Sequence, residues 1–113
     1  MLTVAIVLIV IAAFLGVALA AYVFLGKVTP KGLAFIHGPI AALGVIVLIV
    51  LAVRDRPALW LPIGVFAVAA FLGLWLITSD LRGTGPSKVG AALHGVVAVA
   101  GFAVLLYLVL RGL

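Results

Sequence analysis

The stretch LAFIHGPIAALGVIVLIVL, residues 33–51, decides how the chain is read. A helix needs roughly 20 apolar residues to cross a hydrocarbon core of about 30 Å. This stretch supplies them with one interruption, His37. A near copy, GAALHGVVAVAGFAVLLYL, fills residues 90–108 and holds the only other histidine, His94.

Outward from these segments the rest of the chain has the same character. Of its 113 residues, 69% are hydrophobic and 8% charged, against about 25% charged in soluble proteins. Four apolar runs are predicted to span a bilayer: Leu2–Leu25, Leu33–Val53, Leu59–Thr78 and Val89–Leu110. The charges fall between them, at Lys27, Lys31, Arg54, Asp55, Arg56, Asp80, Arg82 and Lys88, with Arg111 near the end. The chain therefore reads as one all-α integral membrane domain, residues 1–113, with the bacterial inner membrane as the expected location. The first run lacks a basic leader and exceeds a signal-peptide core of about 7–15 residues, so it is read as a retained helix. With no cysteine, disulfides, thiolate metal sites and covalent haem attachment are excluded. The net charge of +5 belongs to short juxtamembrane segments and forms no nucleic-acid face.

Helix boundaries carry chemical marks. Thr29-Pro30 suggests an N-cap with proline at the first helical position, and Pro57 opens the third span in the same way. In SDLRGTGPSK, residues 79–88, glycine and proline stop one helix and Ser87 caps the next. Tyr22, Trp75, Trp60 and Tyr107 sit near span ends, as an interfacial aromatic belt does.

A shift of 57 residues lays the chain on itself. AAFLG at residues 12–16 falls on AAFLG at 69–73, Lys31 on Lys88, and His37-Gly38 on His94-Gly95. Repeat one is residues 1–56 and repeat two 58–113, each a helical hairpin. Two such units cross the membrane in the same sense and form an up-down-up-down four-helix bundle about a pseudo-twofold axis. In the second and fourth spans the matched residues are Lys31/Lys88, Ala34/Ala91, His37/His94, Gly38/Gly95, Ala41/Ala98, Gly44/Gly101, Val47/Val104, Leu48/Leu105, Leu51/Leu108 and Arg54/Arg111. Apart from adjacent partners they recur every three or four residues, which is one helical stripe. That stripe is expected to face inward, with Ile46, Ile49, Val50 and Tyr107 toward lipid. Small residues on it suit helix packing, but packing does not explain a histidine in hydrocarbon, where ionisable groups mark function by default.

Each histidine follows a lysine by six residues, roughly 9 Å of helix rise, which places both imidazoles in the leaflet near the first and third loops. The second and fourth spans are diagonal in such a bundle, about 14 Å apart for neighbours at about 10 Å. The expected arrangement is a slot for one flat metal complex, with no contact between the rings. Haem b meets that description: its iron takes axial histidine nitrogens, here His37 and His94 as the metal ligands. Ala34, Ala91, Ala41, Ala98, Gly38, Gly95, Gly44 and Gly101 would leave room for the ring, and Lys31 and Lys88, with Lys27 and Arg82, would meet its propionates. On the four-helix architecture and the paired His-Gly elements, the chain resembles the membrane b-type cytochromes. That resemblance implies electron transfer, with quinol or a redox partner subunit as the exchange partner; a homodimer bridged by haem is a variant of it. Those proteins commonly hold two haems on more than two histidines, whereas this chain supplies one bis-histidine pair.

Other readings stand beside this one. A bare zinc or copper ion usually takes three or four ligands, and the spans add no Cys, Asp or Glu. A chlorophyll-type pigment needs one histidine per magnesium, and a quinone site would use histidine as a hydrogen-bond partner. Both histidines could serve structure alone, in an assembly subunit of a membrane complex. A small multidrug-resistance-like transporter would match the size, but it relies on a carboxylate in the first helix, which has none here. No nucleophile–base or carboxylate pair suggests catalysis, and GTGPSK lacks P-loop spacing.

Overall fold

The computed structural model describes all 113 residues as four long helices and one short turn. They are α1 (Leu2–Phe24), α2 (Lys31–Arg54), a single 3₁₀ turn at Pro57–Leu59, α3 (Trp60–Leu81) and α4 (Lys88–Leu110). All four are long and apolar enough to cross a membrane, and the molecule measures 44 × 21 × 19 Å. The chain is thus a membrane protein built of four apolar helices.

Local chemistry accounts for most of the ends. Ser87 caps α4, its Oγ accepting the Gly90 amide at 3.1 Å. Gly26 and Gly83, just past α1 and α3, take left-handed φ values of +68° and +81°, the conformation that ends a helix at little steric cost for glycine. The start of α2 differs from the sequence reading. Pro30 is extended, with φ −64° and ψ 114°, and is itself the cap residue, so the helix begins at Lys31. Thr29 is one residue too early to cap it, and its hydroxyl is buried without a hydrogen-bond partner.

Packing is uneven. α1 lies mainly against α2 and α3 mainly against α4; contact between these two pairs is thinner, and no Cα atoms of α2 and α4 approach within 8 Å. The main core gathers where α1 and α3 begin and α2 and α4 end, around Ala5, Ile9, Leu48, Leu59, Phe66 and Leu105. Glycines permit the close approach there. A Cβ on Gly44 would lie 2.8 Å from Ile9 Cγ1, and one on Gly101 would lie 3.0 Å from Phe66 Cδ1. Along the expected inner stripe, Gly44, Leu48, Leu51, Gly101 and Leu105 are buried, while Ile46 and Tyr107 are exposed and Ile49 and Val50 half-buried.

Candidate functional site: a pair of seated histidines

Each histidine is held by the helix paired with its own. His37 Nδ1, on α2, lies 2.8 Å from the carbonyl oxygen of Ala12 on α1. His94 Nδ1, on α4, lies 2.7 Å from the carbonyl oxygen of Ala69 on α3. A carbonyl only accepts, so Nδ1 carries the proton in both rings. In the neutral imidazole this leaves a lone pair on Nε2. The backbone thereby fixes both the tautomer and the ring plane.

One turn beyond each acceptor is a glycine that makes the seat. A Cβ on Gly16 would stand 3.1 Å from His37 Cε1, and one on Gly73 would stand 3.0 Å from His94 Cε1. Both are tighter than ordinary contact, which begins at 3.4 Å. Ala12 and Gly16 are the first and last residues of the first AAFLG, and Ala69 and Gly73 those of the second. The sequence reading had noted the repeated motif but assigned it no role, and these four residues were missed. The signal was there: an identity of five residues at the same 57-residue shift that superposes the histidines.

The two rings meet. Their centroids are 6.1 Å apart, with the planes at 82°, within the range of an edge-to-face pair. The expectation that the rings stay out of contact is therefore corrected: imidazoles long enough to reach inward close the gap between diagonal helices. Along α1 the His37 contact lies further from the helix end than it does along α2, where His37 is six residues past Lys31. Ala12 is ten residues after Leu2 and twelve before Phe24, roughly 15 and 18 Å of rise, so the ring rests against the middle of α1. The two counts differ because α1 runs past the start of α2 before the chain turns.

The remaining candidates separate into groups. Ala34, Ala41, Ala91 and Ala98 are half-buried around the rings' own helices. Gly44 and Gly101 are buried, but their missing side chains make room for Ile9 and Phe66. A Cβ on Gly38 or Gly95 would meet nothing within 4 Å, so neither glycine is needed for close approach. Lys31 is engaged elsewhere, its Nζ donating to Asp80 Oδ2 at 2.6 Å, while Lys88 lines a cavity at the loop end with Lys27 and Asp80.

No cluster of three or more His, Cys, Asp or Glu side chains exists that would ligate a bare metal ion. The donors that the two rings offer are two imidazole nitrogens, one from each helix pair. No protein-family model, curated protein or solved structure matches the chain.

Proposed function

We propose that the chain is a b-type cytochrome of the membrane, built by tandem repetition of one helical hairpin in an up-down-up-down bundle, with one haem b between His37 and His94. The observation that carries this reading is the pair of Nδ1–H donors tied to Ala12 and Ala69. Metal-binding histidines commonly donate their second ring nitrogen in this way, which orients the ring and raises the basicity of the ligating nitrogen.

When bound, the haem supplies a one-electron couple. The protein's part is to hold the rings by their Nδ1–H groups with Nε2 free, and to surround them with apolar side chains that exclude water. A site at mid-span leaves roughly 15 Å of hydrocarbon on either side. Electron exchange then requires a partner within the membrane, a quinol or a redox subunit, and the bacterial inner membrane is the setting we infer.

The test is an absorption spectrum of membranes expressing the chain with ample haem. A low-spin, six-coordinate b-type spectrum is expected on reduction. His37→Ala or His94→Ala should give a high-spin or haem-free protein, because one axial bond is lost. A colourless wild-type preparation, or a spectrum unchanged in the double variant, would defeat the reading.

A further inference from the structure

We propose that the seam between α1 and α4 is a binding site for one anionic phospholipid, with its phosphate at the loop end and an acyl chain along the seam. The head-group end is a cavity of about 340 Å³ lined by Lys27, Thr29, Asp80, Gly85, Pro86 and Lys88. Its charge is unbalanced. Asp80 is engaged by Lys31, whereas neither Lys27 nor Lys88 has a carboxylate within 4 Å. The positive end of the α4 dipole, at Lys88, adds to the field.

Thr29 supplies the second, independent observation. The residue is only 7% exposed, and its Oγ1 is the one buried side-chain oxygen or nitrogen with no hydrogen-bond partner. A buried hydroxyl left unpaired costs free energy. A phosphate oxygen in this cavity would accept its proton while neutralising the two lysines.

The groove continues directly inward. Ala20, Phe24, Ala91, Ala92, Gly95 and Val99 line an open apolar channel of about 420 Å³ on the same two helices. Phe24 adjoins Val23 of the cavity, and Ala91 is one turn beyond Lys88. A cationic pocket at the surface over an apolar groove in the membrane is complementary to a molecule with an anionic head and a hydrocarbon tail. A free phosphate would use only the upper part. The equivalent positions 57 residues away differ: Ile77 stands for Ala20 and Phe35 for Ala92, both bulkier. On that side the lysine equivalent to Lys88 is Lys31, already paired with Asp80.

The experiment uses the purified full chain released from membranes holding equal phosphatidylglycerol and phosphatidylethanolamine, with retained lipids counted by native mass spectrometry. One phosphatidylglycerol per chain is expected, in preference to the zwitterionic lipid. A lysine near a membrane surface contributes about fivefold toward anionic lipid, so Lys27→Gln with Lys88→Gln should erase about twenty- to thirtyfold of that preference. Thr29→Val, nearly the same shape, should weaken retention if the hydroxyl donates to the phosphate. Ala92→Phe should displace the chain, and it copies Phe35, so the helix tolerates it. Equal retention of both lipids, or anionic retention untouched by these variants, overturns the proposal. Release by millimolar inorganic phosphate together with indifference to Ala92→Phe also overturns it, in favour of a free phosphate.

Discussion

Replacing Gly16 or Gly73 by alanine tests the histidine seats most directly. The added methyl would lie 3.1 Å from His37 Cε1 or 3.0 Å from His94 Cε1, which is 0.3 or 0.4 Å inside the 3.4 Å limit of ordinary contact. The ring must retreat by about that amount or the helices must part. Retreat stretches an Nδ1–H···O bond of 2.8 or 2.7 Å toward about 3.1 Å, near the long end of the accepted range. Interhelical hydrogen bonds in membranes are worth about 0.6 kcal/mol on average, and overpacking costs about 1–3 kcal/mol. Set against the helical advantage of alanine over glycine, up to about 1 kcal/mol, the net destabilisation is about 1–3 kcal/mol for either variant, with most of it steric.

Gly38→Ala and Gly95→Ala are the matched controls. They adjoin the same histidines, yet their new methyls would meet nothing within 4 Å. In a helix alanine is favoured over glycine by up to about 1 kcal/mol, so these variants should be neutral or slightly stabilising. Unfolding in mixed micelles, followed by the fluorescence of Trp60 and Trp75, gives the four free energies. Histidine nitrogen NMR gives a second readout: only the ring above the altered glycine should lose the signature of a bonded Nδ1–H. Equal damage from all four variants would refute the seat reasoning, as would no damage from Gly16→Ala and Gly73→Ala.

Three further outcomes follow from the same geometry. Lys31→Met should cost about 1–3 kcal/mol and more than Asp80→Asn, because the Asp80 side chain is 11% exposed against 40% for Lys31; a double-mutant cycle in micelles should return a favourable coupling. Ser87→Ala should cost about 1 kcal/mol by freeing the Gly90 amide, seen as increased amide exchange in the first turn of α4. Gly44→Leu and Gly101→Leu should both be strongly disruptive, since neighbouring side chains close on both glycines; loss of folded protein in detergent chromatography is the readout.

Much of this was legible in the sequence. Because each span is defined by hydrocarbon length and bounded by charge or proline, the expected limits fall within three residues of the helices formed. Part of the inner stripe of α2 and α4 was also visible in the matched residues: Gly44, Leu48, Leu51, Gly101 and Leu105 are buried, whereas Gly38 is exposed. The seats were not. α1 and α3 are apolar on every side, so periodicity gives no direction for Ala12 or Gly16. A backbone carbonyl, moreover, has no side chain by which a sequence could mark it as an acceptor. The point at which each ring meets its neighbour was hidden for a related reason: rise along one helix is countable, whereas the offset between two helices is set by packing, here by Gly44 against Ala5 and Ile9.

The location of the two seats bears on what can enter between the rings. Each seat lies wholly within one helix pair: His37 rests on α1 and His94 on α3. The rings meet only across the thinner contact between the pairs, where α2 and α4 keep their backbones apart. A flat group inserted between them would separate the pairs along that seam and leave both Nδ1–H···O bonds intact. A rearrangement within a pair would instead break a seat and its dense packing. Adding haem to the apo-protein should therefore increase the distance between spin labels on α2 and α4 while leaving the α1–α2 and α3–α4 distances unchanged. A change within either pair, with the α2–α4 distance constant, would show that the seam is not the route of entry.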